Sequence, residues 1–430
     1  MSHLSRILLI AGAAAAVAAP AGAAGFYVQE QSVEGLGRAY SGEAADLGAQ
    51  SLWWNPAAIA GIDDSQAYVG LQVVDIGAKA SDAGSAIVRP GQAPAPVGGV
   101  PVQNNPLQVG YVPNLAAAWR ISSQWSLGLA VTAPFDFTTK YAPDNWARYG
   151  ALTSRLTDID VQPTLAWRPS PLIGIGVGID AQYADADLTN ALPNLSPLLP
   201  DGSSSLRGSG WDYGWVAGLQ LHPTGDLTLA ASYRSQIDHR LSGQVATAGL
   251  LGPLAANNFT LPATAKYTTP DIATVSARWR LGGPWTVEAE VQHFGWSRFN
   301  AITVAYAGQS TPIPENYKDT TSVAVGADYA VSPKLILRGG VQFDPTPTPD
   351  NGRDPRVPDA DRTLFSLGAS WAATHGLTLD GAVAYVDFAH SRINNLTAAY
   401  YGTPAQTPID QVGNVAGGGV IASVGARFGF

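Results

Sequence analysis

The sequence predicts an all-β fold: a transmembrane antiparallel β-barrel of about fourteen strands with an N-terminal segment packed in its lumen. Three observations predict it. The last residues alternate, with Val420, Ala422, Val424, Ala426, Phe428 and Phe430 on one face. Ile421, Ser423, Gly425, Arg427 and Gly429 take the other. A strand of this kind suits a wall between lipid and a wet lumen. The N-terminus reads as an export signal, and the connections between alternating segments are short and long in turn.

In residues 1–23, His3 and Arg6 precede an apolar run from Ile7 to Ala19, which Pro20 ends. Ala21, Gly22 and Ala23 supply a cleavage site, so Ala24 is expected to begin the mature chain. No later stretch approaches twenty consecutive apolar residues, so a membrane crossing must use a closed barrel. The absence of cysteine excludes disulfides and thiolate metal sites. A charged fraction of 13 % is low for a large soluble domain. The net charge of −9 argues against nucleic acid as a partner.

Residues 24–62 carry Gly25, Gly35, Gly37, Gly42, Gly48 and Gly61 without alternation. A segment of this size cannot fold alone, so it is expected to plug a barrel formed by residues 63–430. Strands are expected near 64–80, 108–121, 124–140, 155–168, 171–187, 209–222, 226–243, 269–282, 285–306, 318–331, 334–344, 361–373, 377–394 and 416–430. In the seventh, Leu227, Leu229, Ala231 and Tyr233 oppose Thr228, Ala230, Ser232, Arg234 and Gln236; in the ninth, Val287, Ala289 and Val291 oppose Glu288, Glu290 and Gln292. Long loops are expected near 81–107, 142–154, 188–208, 244–268, 307–317, 345–360 and 395–415. A soluble sandwich has no reason to alternate turn length; short periplasmic turns and long extracellular loops do so by construction.

Gly174, Gly176 and Gly178 fall on one strand face, where other backbone can approach closely. A phosphate loop is the weaker reading, because no helix or P-loop lysine follows. Pro134, in the middle of the third strand beside Phe135, removes a ladder donor and should force a bulge or gap.

Gly35 to Glu43 reads GLGRAYSGE, preceded by Ala24, Gly25 and Phe26 and followed by Asn55, Pro56 and Ala57. This text resembles the N-terminal hatch of the FadL/TodX-type outer-membrane transporters of long-chain fatty acids and aromatic hydrocarbons. Glu315 to Thr320 and Arg356 to Arg362 match a second patch, and the resemblance spans the mature chain. It implies a fourteen-stranded barrel blocked by the hatch, capture of substrate in an outer apolar groove, an internal site, and lateral exit at a kinked third strand. A lateral path keeps apolar surface out of water, worth roughly 0.8 kcal/mol per methylene.

The residues supply candidates for each step. Leu192, Leu195, Leu198, Leu199, Leu250, Leu251, Leu254 and Phe259 make two loops too apolar for solvent, as a capture groove or as a lid packed on itself. Phe26, Asn55, Pro56, Ala57, Pro134 and Phe135 are the gate candidates. Asn55, Pro56 and Ala57 are expected against the kink, and Phe26 in the internal apolar site. Lys318, by strand parity inward near the mouth, is the first candidate for a carboxylate head group, with Arg234 and Arg362 in reserve; each has a carboxylate with which it can simply pair. Long-chain fatty acids are the first expectation; Asp180, Asp185 and Asp187 on the fifth strand, with no Lys or Arg beside them, depart from a fatty-acid specialist and add weight to the alternative, a neutral aromatic or aliphatic hydrocarbon.

No G-x-S-x-G or clustered histidine supports an outer-membrane lipase, and the plug argues against a general diffusion porin. The expected protein is therefore not an enzyme and needs no cofactor or metal. Its partners are a hydrophobic small molecule, outer-membrane lipid and lipopolysaccharide, and the barrel-assembly machinery acting on the C-terminal strand. A monomer is expected.

Overall fold

The computed structural model describes residues 25–430; the expected export signal of residues 1–23, and Ala24, lie outside the described residues. Fourteen antiparallel strands form the wall. They are β1 (Gln66–Asp82), β2 (Gly110–Arg120), β3 (Trp125–Thr132, resuming as Phe137–Lys140), β4 (Thr153–Ser170), β5 (Ile173–Leu192), β6 (Gly202–Thr224) and β7 (Leu227–Arg234 and Asp238–Ala248). Then follow β8 (Phe259–Thr268 and Ile272–Arg280), β9 (Trp285–Phe294 and Ala301–Tyr306), β10 (Gln309–Pro314 and Thr320–Ser332), β11 (Leu335–Asp344), β12 (Arg362–Thr374), β13 (Leu377–Ala399) and β14 (Thr407–Gly429). β1 pairs with β14 from Gln66↔Gly429 to Asp82↔Gly413, which closes the ring and leaves no free edge.

Alternation sets the two faces. Val424 and Val275 stand outward, more than 60 % exposed, while Ser423, Thr274 and Ser276 are buried inside. Aromatic pairs mark both rims of the outer wall: Trp125 stacks on Trp167 with centroids 5.6 Å apart near the short turns, and Tyr183 meets Trp211 at 5.4 Å towards the long loops.

Four predicted loops are shorter than expected. Gly202 still pairs with Leu192, Ser203 with Ala248, Ala263 with Tyr306 and Ala399 with Thr407. Outside the lipid nothing requires apolar alternation, so these stretches look like loops in sequence. Their backbone groups still need partners and keep the ladder.

Residues 25–62 are almost wholly buried and pack inside the ring. Ser32 caps the short helix α1 (Val33–Leu36), accepting a hydrogen bond from the Gly35 amide. Asn55 caps a 3₁₀ turn (Pro56–Ile59) through the Ala57 amide at 2.8 Å. That turn rests on the glycine face of β5. A Cβ on Gly176 would overlap the main chain of Pro56 and Ala57, and one on Gly174 would come 2.9 Å from Ala60 Cβ. Gly178 instead faces wall atoms of Val216 and Thr164.

A buried ion network ties the segment to the opposite wall. Arg38, 0 % exposed, donates to Glu43 at 2.5 Å and Asp46 at 2.6 Å. Arg278 pairs with Asp46 and, at 3.0 Å, with Asp328. Glu34 receives Arg338 and Arg427, each at 2.6 Å.

Candidate functional site: an apolar cavity beside the third strand

β3 is interrupted as its proline predicts. Its ladder to β4 ends at Thr132↔Asp160 and resumes at Phe137↔Leu156, while its pairing with β2 ends at Leu115↔Val131. The backbone groups left free find partners in the lumen, on residues 26–31. Val28 N donates to Pro134 O at 2.7 Å, and Asp136 N to Phe26 O at 3.1 Å. Tyr27 bridges Phe135, and the Gln31 amide meets both N and O of Ala133 at 3.3 and 3.0 Å.

The expectation that Asn55, Pro56 and Ala57 seal the kink is therefore corrected. Asn55 Nδ2 donates to Ala44 O at 2.8 Å and to Leu219 O on β6 at 3.3 Å. The glycine face of β5 draws this turn in, whereas an extended segment with free N–H and C=O groups is what a broken ladder accepts.

Phe26 lies in an aromatic nest, with ring centroids 4.9 Å from Trp296 and Phe299 and 5.8 Å from Phe135. Its ring also borders an apolar cavity whose walls include Phe137, Leu156, Leu241, Tyr267 and Ile302. With Phe26 in place the cavity volume is about 60 Å³. Glu315 and Arg356 are the charged side chains on this wall. No periodic signal marks Trp296 and Phe299, which sit where β9 breaks between Phe294 and Ala301.

The segment is also held at its start. Asp359 Oδ2 accepts from Gly25 N at 2.8 Å and from Thr346 Oγ1 at 2.5 Å. Burial pushes the Asp359 carboxyl up to about 6, against the pull of Arg362.

The three head-group candidates lie elsewhere than on the cavity wall. Arg234 is buried against Asp180, donates to Trp53 O at 2.6 Å and Gln162 Oε1 at 2.8 Å, and stacks over the Trp53 ring. Arg362 pairs with Asp344 at 2.6 Å. Lys318 is exposed beside Asp361 and Arg353 in a polar crevice, because strand parity fails between Pro314 and Thr320, where the ladder is broken. The acidic fifth strand is balanced: Asp180 takes Arg234, Asp185 takes Arg155 at 2.5 Å, and Asp187 takes Arg207 at 3.1 Å.

The two apolar loops pack on each other. Asn194 donates to Gly249 O and accepts from Leu251 N, with Leu250 and Leu254 buried beneath. Leu198, 92 % exposed, forms a crest with Leu199 and Leu251; Leu195 is half-buried. Leu192 ends β5, and Phe259 begins β8, stacked on Tyr306.

The family model described as "Outer membrane protein transport protein (OMPP1/FadL/TodX)" matches residues 14–430. A long-chain fatty acid transport protein of Escherichia coli O6:H1 is 26 % identical, over 88 % of this chain and 90 % of its own length. Outer membrane protein P1 of Haemophilus influenzae is 26 % identical over 88 % and 89 %. Among solved structures, a Pseudomonas aeruginosa FadL homologue superposes with a TM-score of 0.83 at 22 % identity, covering 95 % of this chain and all of its own. The Ralstonia pickettii toluene transporter TbuX does so at 0.64 and 19 %, covering 94 % of this chain and all of its own.

Proposed function

This chain belongs to the outer membrane protein transport protein family (OMPP1/FadL/TodX), and on that premise we propose that it is a passive outer-membrane channel for hydrophobic molecules, long-chain fatty acids first. The observation that carries the proposal is Phe26: its ring occupies the apolar nest while its carbonyl holds Asp136 in the broken strand. A ligand that takes the place of this ring must move the backbone that seals the gap. Binding and opening are then one event, driven by the ligand's preference for the state in which the segment has moved.

Exit through the gap leads an acyl chain from protein to lipid, so its methylenes stay out of water at roughly 0.8 kcal/mol each. The route needs no covalent chemistry, cofactor or metal, and one chain contains all of it. Assembly through β14, ending on Phe430, belongs to the same proposal. A second reading, uptake of neutral hydrocarbons, is favoured by Asp158 and Asp160. These inward carboxylates follow Leu156 down β4 and have no hydrogen-bond partner among the described residues.

A reversible lock tests the gate. The natural chain has no cysteine, and Tyr27 and Phe135 are bridge partners, close enough for a disulfide. In cells carrying Tyr27→Cys with Phe135→Cys, uptake of labelled oleate or toluene should be near zero when oxidised. It should return on reduction. Equal uptake in both states would overturn the gate.

A further inference from the structure

We infer that Asp158 and the Tyr267 hydroxyl seat the ammonium group of a lipophilic amine at the floor of the apolar cavity, a ligand class beyond fatty acids and hydrocarbons. The inference rests on the uptake reading above, since it names a further ligand for the same channel.

Three aspartates break a rule that the rest of the lumen keeps. Among the described residues, the buried Asp46, Asp180, Asp328, Asp344 and Asp380 each pair with an arginine. Asp359 accepts from Gly25 N and Thr346 Oγ1. Asp136, Asp158 and Asp160 are equally buried, yet none of their six carboxyl oxygens has a hydrogen-bond partner among the described residues. They gather at the break in β3: Asp136 lies within it, and Asp160 stands opposite Thr132, where the ladder to β4 stops. Asp158, 0 % exposed, is the least provided for. Asp136, Asp160 and Asp180 crowd it, and Arg234 is the one cation that acts on it. That guanidinium is already engaged by Asp180, Trp53 O and Gln162. A buried acid without a donor costs free energy, and a cationic ligand removes that cost.

The acid stands at the edge of the cavity. Asp158 is the next inward side chain on β4 after Leu156, which lines the cavity wall. Tyr267, on β8, lines the same cavity and faces Asp158, and its buried hydroxyl also lacks a partner among the described residues. Two strands therefore present unmatched polar atoms to one place. An ammonium group carries three N–H donors, enough for the Asp158 carboxylate and the Tyr267 oxygen together, and its charge is drawn to the aromatic ring. His239 stacks on that ring with centroids 4.8 Å apart, which fixes its orientation. A metal ion does not fit: among the described residues no three acidic or histidine side chains are placed to hold one. The apolar tail then lies along Leu156, Leu241 and Ile302. A hydrocarbon leaves this floor unmatched, and a carboxylate meets like charge there.

The test is binding of decylamine, 1-decanol and oleate to the full-length protein refolded in detergent. Decylamine should bind at least tenfold more tightly than 1-decanol. Asp158→Asn, which keeps the shape of the side chain, should cut decylamine affinity at least tenfold, leave 1-decanol unchanged and not weaken oleate. Asp158→Glu should keep part of the preference for the amine, and Tyr267→Phe should lower it without affecting 1-decanol. Asp185→Asn, which removes an acid paired with Arg155 on the outer face of β5, should change nothing. If Asp158→Asn does not assemble, the wild-type preference and Tyr267→Phe decide. Equal affinity for amine and alcohol, or equal losses of both in Asp158→Asn, would overturn the ammonium seat; with oleate still bound, uptake stands. A wild type that binds none of the three would overturn the uptake reading with it.

Discussion

Gly176→Val is expected to turn a closed barrel into an ion-conducting one. The reason is the main chain of Pro56 and Ala57, which occupies the place where a side chain on Gly176 would begin. Backbone at both sides of the clash cannot rotate away as a side-chain tip can, so the turn must leave the wall. Overpacking of this kind costs about 1–3 kcal/mol when neighbours adjust, and more when main chain must move. The same turn holds Asn55 against Ala44 O and Leu219 O, so the displacement spreads through the segment. The wall does not depend on this contact, and the barrel should still assemble and shift on heating. In planar bilayers the variant should show large stepwise conductance where the wild type shows little. Val177→Leu, on the lipid face of the same strand, should behave as wild type. A closed Gly176→Val barrel would mean that the segment is not the plug.

Arg38→Met is expected to release the same segment in a pH-dependent way. Glu34 keeps Arg338 and Arg427, and Asp46 keeps Arg278, but Glu43 has Arg38 as its cationic partner at 2.5 Å and no other among the described residues. Removing one member of a buried pair costs about 3–5 kcal/mol, because the other charge stays buried alone. Even with Arg38 present, burial holds the Glu43 carboxyl up to about 7, above its ordinary 4.5. A raised acid stabilises the docked state fully below its unfolded value and loses that contribution as pH rises through the folded one. Without Arg38 the folded value rises further. Arg38→Met should therefore be closed near pH 5 and leaky, with a protease-sensitive N-terminal segment, near pH 8. The wild type, whose Glu43 keeps its Arg38 partner, should vary less over that window. A variant equally tight at both values would mean that the ion network does not hold the plug.

Much of the architecture was legible because its signals are local. Alternation has a period of two, and a strand such as Leu227–Arg234 declares its lipid face within eight residues. The spacing of short and long connections announced the strand number, and Pro134 announced the broken ladder. Gly174 and Gly176 announced a close approach of other backbone, though not which backbone. Parity failed at Lys318, where the ladder itself stops, and strand length failed wherever a hairpin rises out of the lipid.

The sequence by itself thus determined the class of the protein, an exported barrel whose wall alternates and whose N-terminal text belongs to a transporter family. Tertiary structure alone decided the site. It put Asn55 on β6 rather than at the kink, and it gave the kink to Phe26, Val28 and Gln31. It also paired Arg234 with Asp180 and Arg362 with Asp344, and left the buried Arg356 Nε without a partner among the described residues. The reason is range. A strand's faces follow from backbone geometry within a few residues, whereas a charge's partner is chosen by which side chains closure of the ring brings within a few ångströms. Those lie anywhere from 5 to more than 300 residues away, as Arg38 with Glu43 and Arg338 with Glu34 demonstrate.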